Sequence, residues 1–256
     1  MTTSVSRTIR AKIDYPTSDG RPMAETELHR DLMITLIETL KRQFASDPLF
    51  YVSGNMLVYY KPDDRSCNLA PDVFVVREVP KHRRDYYLIW EEGHSLDLVI
   101  ELTSRSTKAE DIEDKFNLYR DRLKVREYFL FDPYAEYLDP PLQGYRLSRG
   151  RYVSIKPLDA RLPSKVIRLH LERDVRDLRL YDPSAGKWLP TPQEELLKTE
   201  ESLAQTEVSL VKTEESLVKT EGALRKAEAA RKRSELENEK LRRELDSLRR
   251  RLGDKA

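Results

Sequence analysis

The sequence predicts an α/β protein, a mixed sheet flanked by helices and closed by late β-hairpins, followed by a long C-terminal coiled-coil helix. Three observations carry this. Residues 96–131 read as strand, helix, strand, a βαβ-like unit. Two glycine-bearing turns, Ser148-Arg149-Gly150 and Asp182-Pro183-Ser184-Ala185-Gly186, punctuate the later part of the chain. Beyond Pro190-Thr191-Pro192 there is neither proline nor aromatic residue, and leucine recurs every seven residues.

In chain order, residues 1–20 read as irregular, with a turn at Ser18-Asp19-Gly20. Glu25 to Arg42 reads as a helix because Leu28, Leu32, Leu36 and Leu40 recur at i+4, with Met33 and Ile37 widening the apolar face. Strands are expected at Met56–Tyr60, Leu69–Arg77, Leu96–Leu102 and Glu127–Phe131. Between the last two, Lys108 to Leu123 reads as a second helix, with Thr107 and Glu110 as its capping box. Residues 145–155 alternate as a hairpin around Gly150, and another is expected around Gly186.

The composition break divides the chain into a globular domain, residues 1–192, and a helical tail, residues 193–256. Taking Leu196, Leu203, Leu210, Leu217 and Leu224 as heptad position a places Thr199, Thr206, Thr213, Thr220 and Ala227 at d. The other register would put Glu200, Glu207, Glu214 and Glu221 in the seam. The phase runs on through Arg231, Ser234 and Asn238 to a leucine stripe at Leu241, Leu245, Leu248 and Leu252. About 60 residues at 1.5 Å rise make a rod of roughly 90 Å. Residues 193–223 carry three basic and eight acidic side chains, and residues 224–256 carry twelve basic and seven acidic. That polarity points to antiparallel self-association, while a lone helix with solvated charges is the plainer alternative.

At 256 residues, with 39% hydrophobic and 36% charged residues, the chain holds one ordinary core diluted by a solvated segment. A single cysteine, Cys67, excludes an intramolecular disulfide and a cysteine-rich zinc site. The four histidines lack metal-ligand spacing. No run approaches the roughly 18 apolar residues of a membrane span, and the N-terminus has no apolar signal core, so a soluble cytoplasmic protein is expected. The net charge of +1 gives bulk electrostatics no preference for nucleic acid, so binding would need a local patch.

The anomalies are carboxylates inside apolar runs. Asp72 opens Asp72-Val73-Phe74-Val75-Val76, and Glu101 nears the end of Leu98-Val99-Ile100-Glu101-Leu102. Each costs several kcal/mol of desolvation unless paired or bound to a cation. Strand alternation puts Asp97, Val99 and Glu101 on one face. Two such carboxylates from neighbouring strands can converge on one hard cation, and magnesium suits that donor set. Asp111, Lys115 and Tyr119 then form one helical stripe, from which Lys115 can reach back toward Glu101. Taken singly, each has a structural reading: Asp72 as a carboxylate at a strand start, Glu101 in an arginine bridge, Asp111 and Lys115 as an ordinary i,i+4 pair.

Together these residues resemble a known family. Pro71-Asp72, then Val99-Ile100-Glu101-Leu102-Thr103-Ser104 with Ser106-Thr107, then Asp111, Lys115 and Tyr119, then Glu127-Tyr128-Phe129-Leu130-Phe131-Asp132-Pro133, resemble Uma-two-type restriction endonucleases, a bacterial group within the PD-(D/E)XK nuclease superfamily. The resemblance spans roughly residues 15–190. It implies a restriction-endonuclease-like core and metal-dependent hydrolysis of DNA phosphodiester bonds with Mg²⁺ or Mn²⁺, releasing a 3′-hydroxyl and a 5′-phosphate. On it, Asp72 and Glu101 are metal ligands with the backbone carbonyl of Leu102. The lysine expected two residues after the glutamate is Thr103 here, and Lys115, rooted on the following helix, takes its place.

Glu25, with His29 one turn later, is a further candidate for the metal or its water, or simply a first-turn carboxylate favoured by the helix dipole. Asp111 and Tyr119 are supporting residues, Tyr119 for packing or positioning. The candidate DNA patch is Lys81, His82, Arg83 and Arg84, followed by Tyr86 and Tyr87; a solvated loop is the alternative. The functional expectation is thus a Mg²⁺-dependent DNA endonuclease that forms homo-oligomers through its coiled coil and has no membrane partner. The alternatives are a catalytically inactive nucleic-acid-binding or regulatory module on the same fold, and an assembly protein whose coiled coil is the working part.

Overall fold

A computed structural model of the chain describes residues 15–18, 26–103 and 113–253, with side chains as far as residue 250. It contains two compact units, Met1–Glu194 and Glu195–Ala256.

The first unit begins with α1, Glu27–Gln43. Thr26 sets its start, because the backbone there is extended and the hydroxyl accepts a 3.2 Å hydrogen bond from the His29 amide. The helix therefore opens two residues after the expected Glu25, which lies outside the described residues. Glu27 in the first turn and Lys41 and Arg42 in the last complement the helix dipole. Leu32, Leu36 and Leu40 are buried, as their i+4 spacing predicts.

The strands that follow are β1 (Phe50–Ser53), β2 (Val58–Tyr59), β3 (Asn68–Leu69), β4 (Val73–Arg77) and β5 (Tyr87–Leu88). After the short α2 (Ile89–Glu92) comes β6 (Leu98–Leu102). The described part of the next segment holds α3 (Lys115–Asn117) and a π turn, Leu118–Arg122. Then come β7 (Glu127–Phe131), β8 (Leu142–Ser148) and β9 (Arg151–Ser154). The last strands are β10 (Leu162–Pro163), β11 (His170–Asp174), β12 (Asp177–Asp182) and β13 (Lys187–Trp188).

The central sheet is mixed, in the order β1-β4-β6-β7-β8-β9. Within it β6 and β7 are parallel neighbours and the other pairs antiparallel. A parallel pair needs a crossover, and the segment carrying α3 supplies it. Every residue of β6 and β7 is buried. Leu98, Ile100 and Leu102 face the core that α1 covers. Val99 faces the other core, with Tyr119, Leu123, Tyr128 and Leu130. Glu101 shares the Val99 side of the strand, at 0% exposure.

The expected hairpin at residues 145–155 is β8–β9, turning at Arg149 and Gly150 with φ of 49° and 78°. The second expected hairpin is β12–β13, where Asp182 pairs with Lys187 and Gly186 has φ 65°. It does not close the central sheet. Together with β10 and β11 it forms a separate four-stranded sheet whose Leu171, Leu178 and Leu180 fill the α1-side core. The expected strand Leu69–Arg77 is broken, because Pro71 lacks the amide a continuous ladder needs. β1 also escaped the sequence reading, being only four residues long.

The long helix, α4, spans Pro192–Gly253. Its start is fixed by a capping box: Thr191 Oγ1 accepts from the Glu194 amide at 3.2 Å, and Glu194 Oε2 accepts from the Thr191 amide at 2.8 Å. Pro192 sits where its missing N–H costs nothing. Among the described residues no helix is long and apolar enough to cross a membrane.

Candidate active site at the end of the central strand

Asp72 stands one residue before β4, and its position is set by backbone. The Pro71 carbonyl accepts from the Asn55 amide at 2.8 Å. Gly54 packs so closely that a Cβ there would lie 1.9 Å from the Asp72 carbonyl oxygen. Across the β4–β6 pairing, Leu102 donates its amide to Asp72 Oδ2 at 2.7 Å, and the Asp72 amide donates to Glu101 Oε2 at 3.3 Å. The Glu101 carboxylate is thereby tied to the Asp72 backbone, and the Asp72 carboxylate to the backbone of Leu102, the residue after Glu101. The Leu102 carbonyl belongs to the same strand end.

Two further elements reach this point. From α1, His29 Nε2 lies 3.2 Å from Asp72 Oδ1. From the crossover segment, Lys115 Nζ lies 3.3 Å from Glu101 Oε1, and Tyr119 donates its hydroxyl to the same oxygen at 2.6 Å. The π turn holds Tyr119 fully buried beneath the sheet, closed by the Leu123 amide on the Leu118 carbonyl at 3.0 Å. Asp72, Glu101, Lys115 and Tyr119 thus meet in one place. His29 joins them as a direct partner of Asp72. Asp111 and Glu25 fall outside the described residues.

Burial pushes the Asp72 carboxyl pKa upward. The hydrogen bond and charge of His29, the Lys115 charge and the Leu102 amide outweigh it, and hold Asp72 below the ordinary carboxylate value. Burial, and then the Glu101 charge, drive the Tyr119 hydroxyl well above its ordinary value, so it stays protonated as a donor. The site therefore presents an ionised Asp72 on one side and an anchored Glu101 on the other.

Two carboxylates and a backbone carbonyl are hard oxygen donors of the kind magnesium or manganese takes alongside water. Among the described residues no group of three or more His, Cys, Asp or Glu is gathered as a metal site. An ion held here would draw on Asp72, Glu101, the Leu102 carbonyl and water.

Thr103 stands two residues after Glu101 on the same chain segment. Its side chain is buried, with its amide on the Phe131 carbonyl at 2.8 Å and its hydroxyl on the same oxygen at 3.3 Å. Asp97, on the same face of the strand as Glu101, is spent at its other end on Arg126 at 3.1 Å and the Arg77 amide at 2.7 Å.

The basic patch divides. The Arg84 side chain is 3% exposed, forks onto Glu92 at 2.5 and 2.8 Å and lies over the Tyr51 ring at 4.3 Å, a structural arrangement that leaves little to offer a phosphate. Lys81 folds its ammonium back on the Phe44 and Ala45 carbonyls. Arg83 is exposed. With Lys41, they line a groove of about 570 Å³.

The family model described as "Uma2: Putative restriction endonuclease" matches residues 8–179. Among curated proteins nothing matches. A crystal structure described as a putative nuclease belonging to DUF820, from Anabaena variabilis ATCC 29413, is similar at 16% identity and a TM-score of 0.44, covering 63% of this chain and 90% of that one.

Proposed function

The chain belongs to the Uma2 family, described as "Putative restriction endonuclease", and we propose that it is a phosphodiester-cleaving nuclease, a Mg²⁺- or Mn²⁺-dependent DNA endonuclease whose site is Asp72, Glu101 and Lys115. The observation that carries this is the backbone-tied carboxylate pair with an ammonium 3.3 Å from it.

A divalent cation, when bound, would supply positive charge to a phosphate oxygen and lower the pKa of a water. Asp72 and Glu101 would hold it, with the Leu102 carbonyl. Lys115, on a flexible stem, orients the attacking water and steadies negative charge as it develops on the phosphate. Tyr119 fixes the rotamer of Glu101, and His29 fixes that of Asp72. The displaced lysine root is chemically adequate, because the position of the amine matters and not its backbone origin. Lys41 and Arg83 in the groove are the proposed contacts to the DNA backbone.

Supercoiled plasmid incubated with the purified chain and Mg²⁺ or Mn²⁺ tests the reading. Wild type should nick or linearise it, and Asp72→Asn, Glu101→Gln and Lys115→Ala should each lose at least a hundredfold in rate. Equal cleavage by all four proteins would reject the site.

A further inference from the structure

We propose that α4 pairs in parallel and in register with the α4 of a second copy of this chain, as a two-stranded coiled coil. Leu196, Leu203, Leu210, Leu217, Leu224, Leu241, Leu245 and Leu248 are each 50–59% exposed on the single helix. They share one heptad seam, which a lone helix leaves in water. The threonines between them fit that seam. Thr199, Thr206, Thr213 and Thr220 each donate their hydroxyl to the carbonyl four residues back at 2.8 Å. Their hydroxyl protons are already satisfied, so the γ-methyls can be buried at small cost.

The charge totals of the two halves, 3 − 8 = −5 for residues 193–223 and 12 − 7 = +5 for residues 224–256, favour an antiparallel pair. The positions that actually face a partner reverse this. Most of those charges point outward, where two helices, each about 10 Å across, hold them up to roughly 20 Å apart. That is beyond the Debye length of about 8 Å at physiological salt. At the flanks of a parallel seam, Glu237 meets Arg242 of the partner subunit and Glu244 meets Arg249 of the partner subunit, in both directions, against one like-charge flank, Glu195 with Glu200 of the partner subunit, and one seam arginine, Arg231. An antiparallel pair that sets Leu196 against Leu248 and Leu203 against Leu241 gains Glu200 against Arg242 and Glu195 against Arg251, but brings Glu207 against Glu235, Glu214 against Glu228 and Glu221 against its own copy, and matches few leucines. The parallel register matches every one of the eight with its own copy, and it places Asn238 opposite Asn238 of the partner subunit at a seam position, a pairing that selects two strands. The two helix starts then lie side by side, about 10 Å apart. None of this depends on the nuclease reading.

Sedimentation of the full chain and cysteine cross-linking in a Cys67→Ser background test it. A dimer at micromolar concentration, and a disulfide-linked dimer from Leu210→Cys alone, are expected. Arg242→Glu with Arg249→Glu should weaken dimerisation at least tenfold at low salt, and adding Glu237→Arg with Glu244→Arg should restore it. A monomer at tens of micromolar would overturn the proposal. So would cross-linking confined to a mixture of Leu203→Cys and Leu241→Cys chains, the mark of antiparallel pairing.

Discussion

The Tyr119 hydroxyl donates a 2.6 Å hydrogen bond to Glu101 Oε1, the same oxygen that faces the Lys115 ammonium at 3.3 Å. One carboxylate oxygen is thus held by a neutral donor from beneath and a cation from beside. The spacing of four residues between Lys115 and Tyr119 makes both contacts available from one helical stripe.

Tyr119→Phe removes the donor and leaves the ring. We expect a stability loss of about 1–3 kcal/mol, the cost of leaving a buried acceptor short of a partner, and slower plasmid cleavage from a mobile Glu101. Chemical denaturation and cleavage rates check both. Unchanged values in both would show that Tyr119 only packs.

Gly54→Ala forces a Cβ to within 1.9 Å of the Asp72 carbonyl. Something rigid must move, since the obstacle is backbone. The expected loss is about 1–3 kcal/mol from overpacking, together with cleavage impaired beyond what the stability loss explains at 25 °C. A variant as stable and as active as wild type would mean that Asp72 tolerates displacement.

Much of the site was legible because strand alternation and helical spacing are local rules. They put Glu101 on the Val99 face and Lys115 and Tyr119 on one stripe without any knowledge of the rest of the chain. What escaped was long-range. His29 touches Asp72 across 43 residues of sequence, and Gly54, just after β1, meets Asp72 just before β4. The second sheet was missed because its pairing of Leu162 with Leu171 and Leu171 with Leu180 is decided by which apolar face remains uncovered. Arg84 looked like a phosphate contact because a Lys-His-Arg-Arg run carries no sign that Glu92 and Tyr51 will close on its last member.

Glu92 sets an acid limit on the fold. The Arg84 hydrogen bond, acting against burial, lowers its carboxyl from the ordinary 4.5. A depressed folded-state pKa means stability fully present above the unfolded value and lost as pH falls through the folded one. Wild type should therefore lose stability, as pH falls below that ordinary 4.5, faster than Glu92→Gln does, as measured by urea unfolding at several pH values. Parallel curves for the two proteins would remove Glu92 from the account.

Lys41→Ala with Arg83→Ala should weaken binding to any DNA sequence alike and lower the slope of log K against log salt by about two. Fluorescence anisotropy with a labelled duplex, in Ca²⁺ to prevent cleavage, reads this. An unaltered slope would place the DNA elsewhere.

Calorimetric titration with Mn²⁺ goes most directly to the carboxylate pair. Wild type and Lys115→Ala should each take up one or two ions per chain, while Asp72→Asn and Glu101→Gln should bind at least tenfold more weakly with their folds intact by circular dichroism. Undiminished Mn²⁺ uptake in both carboxylate variants would contradict a metal site at the end of β6.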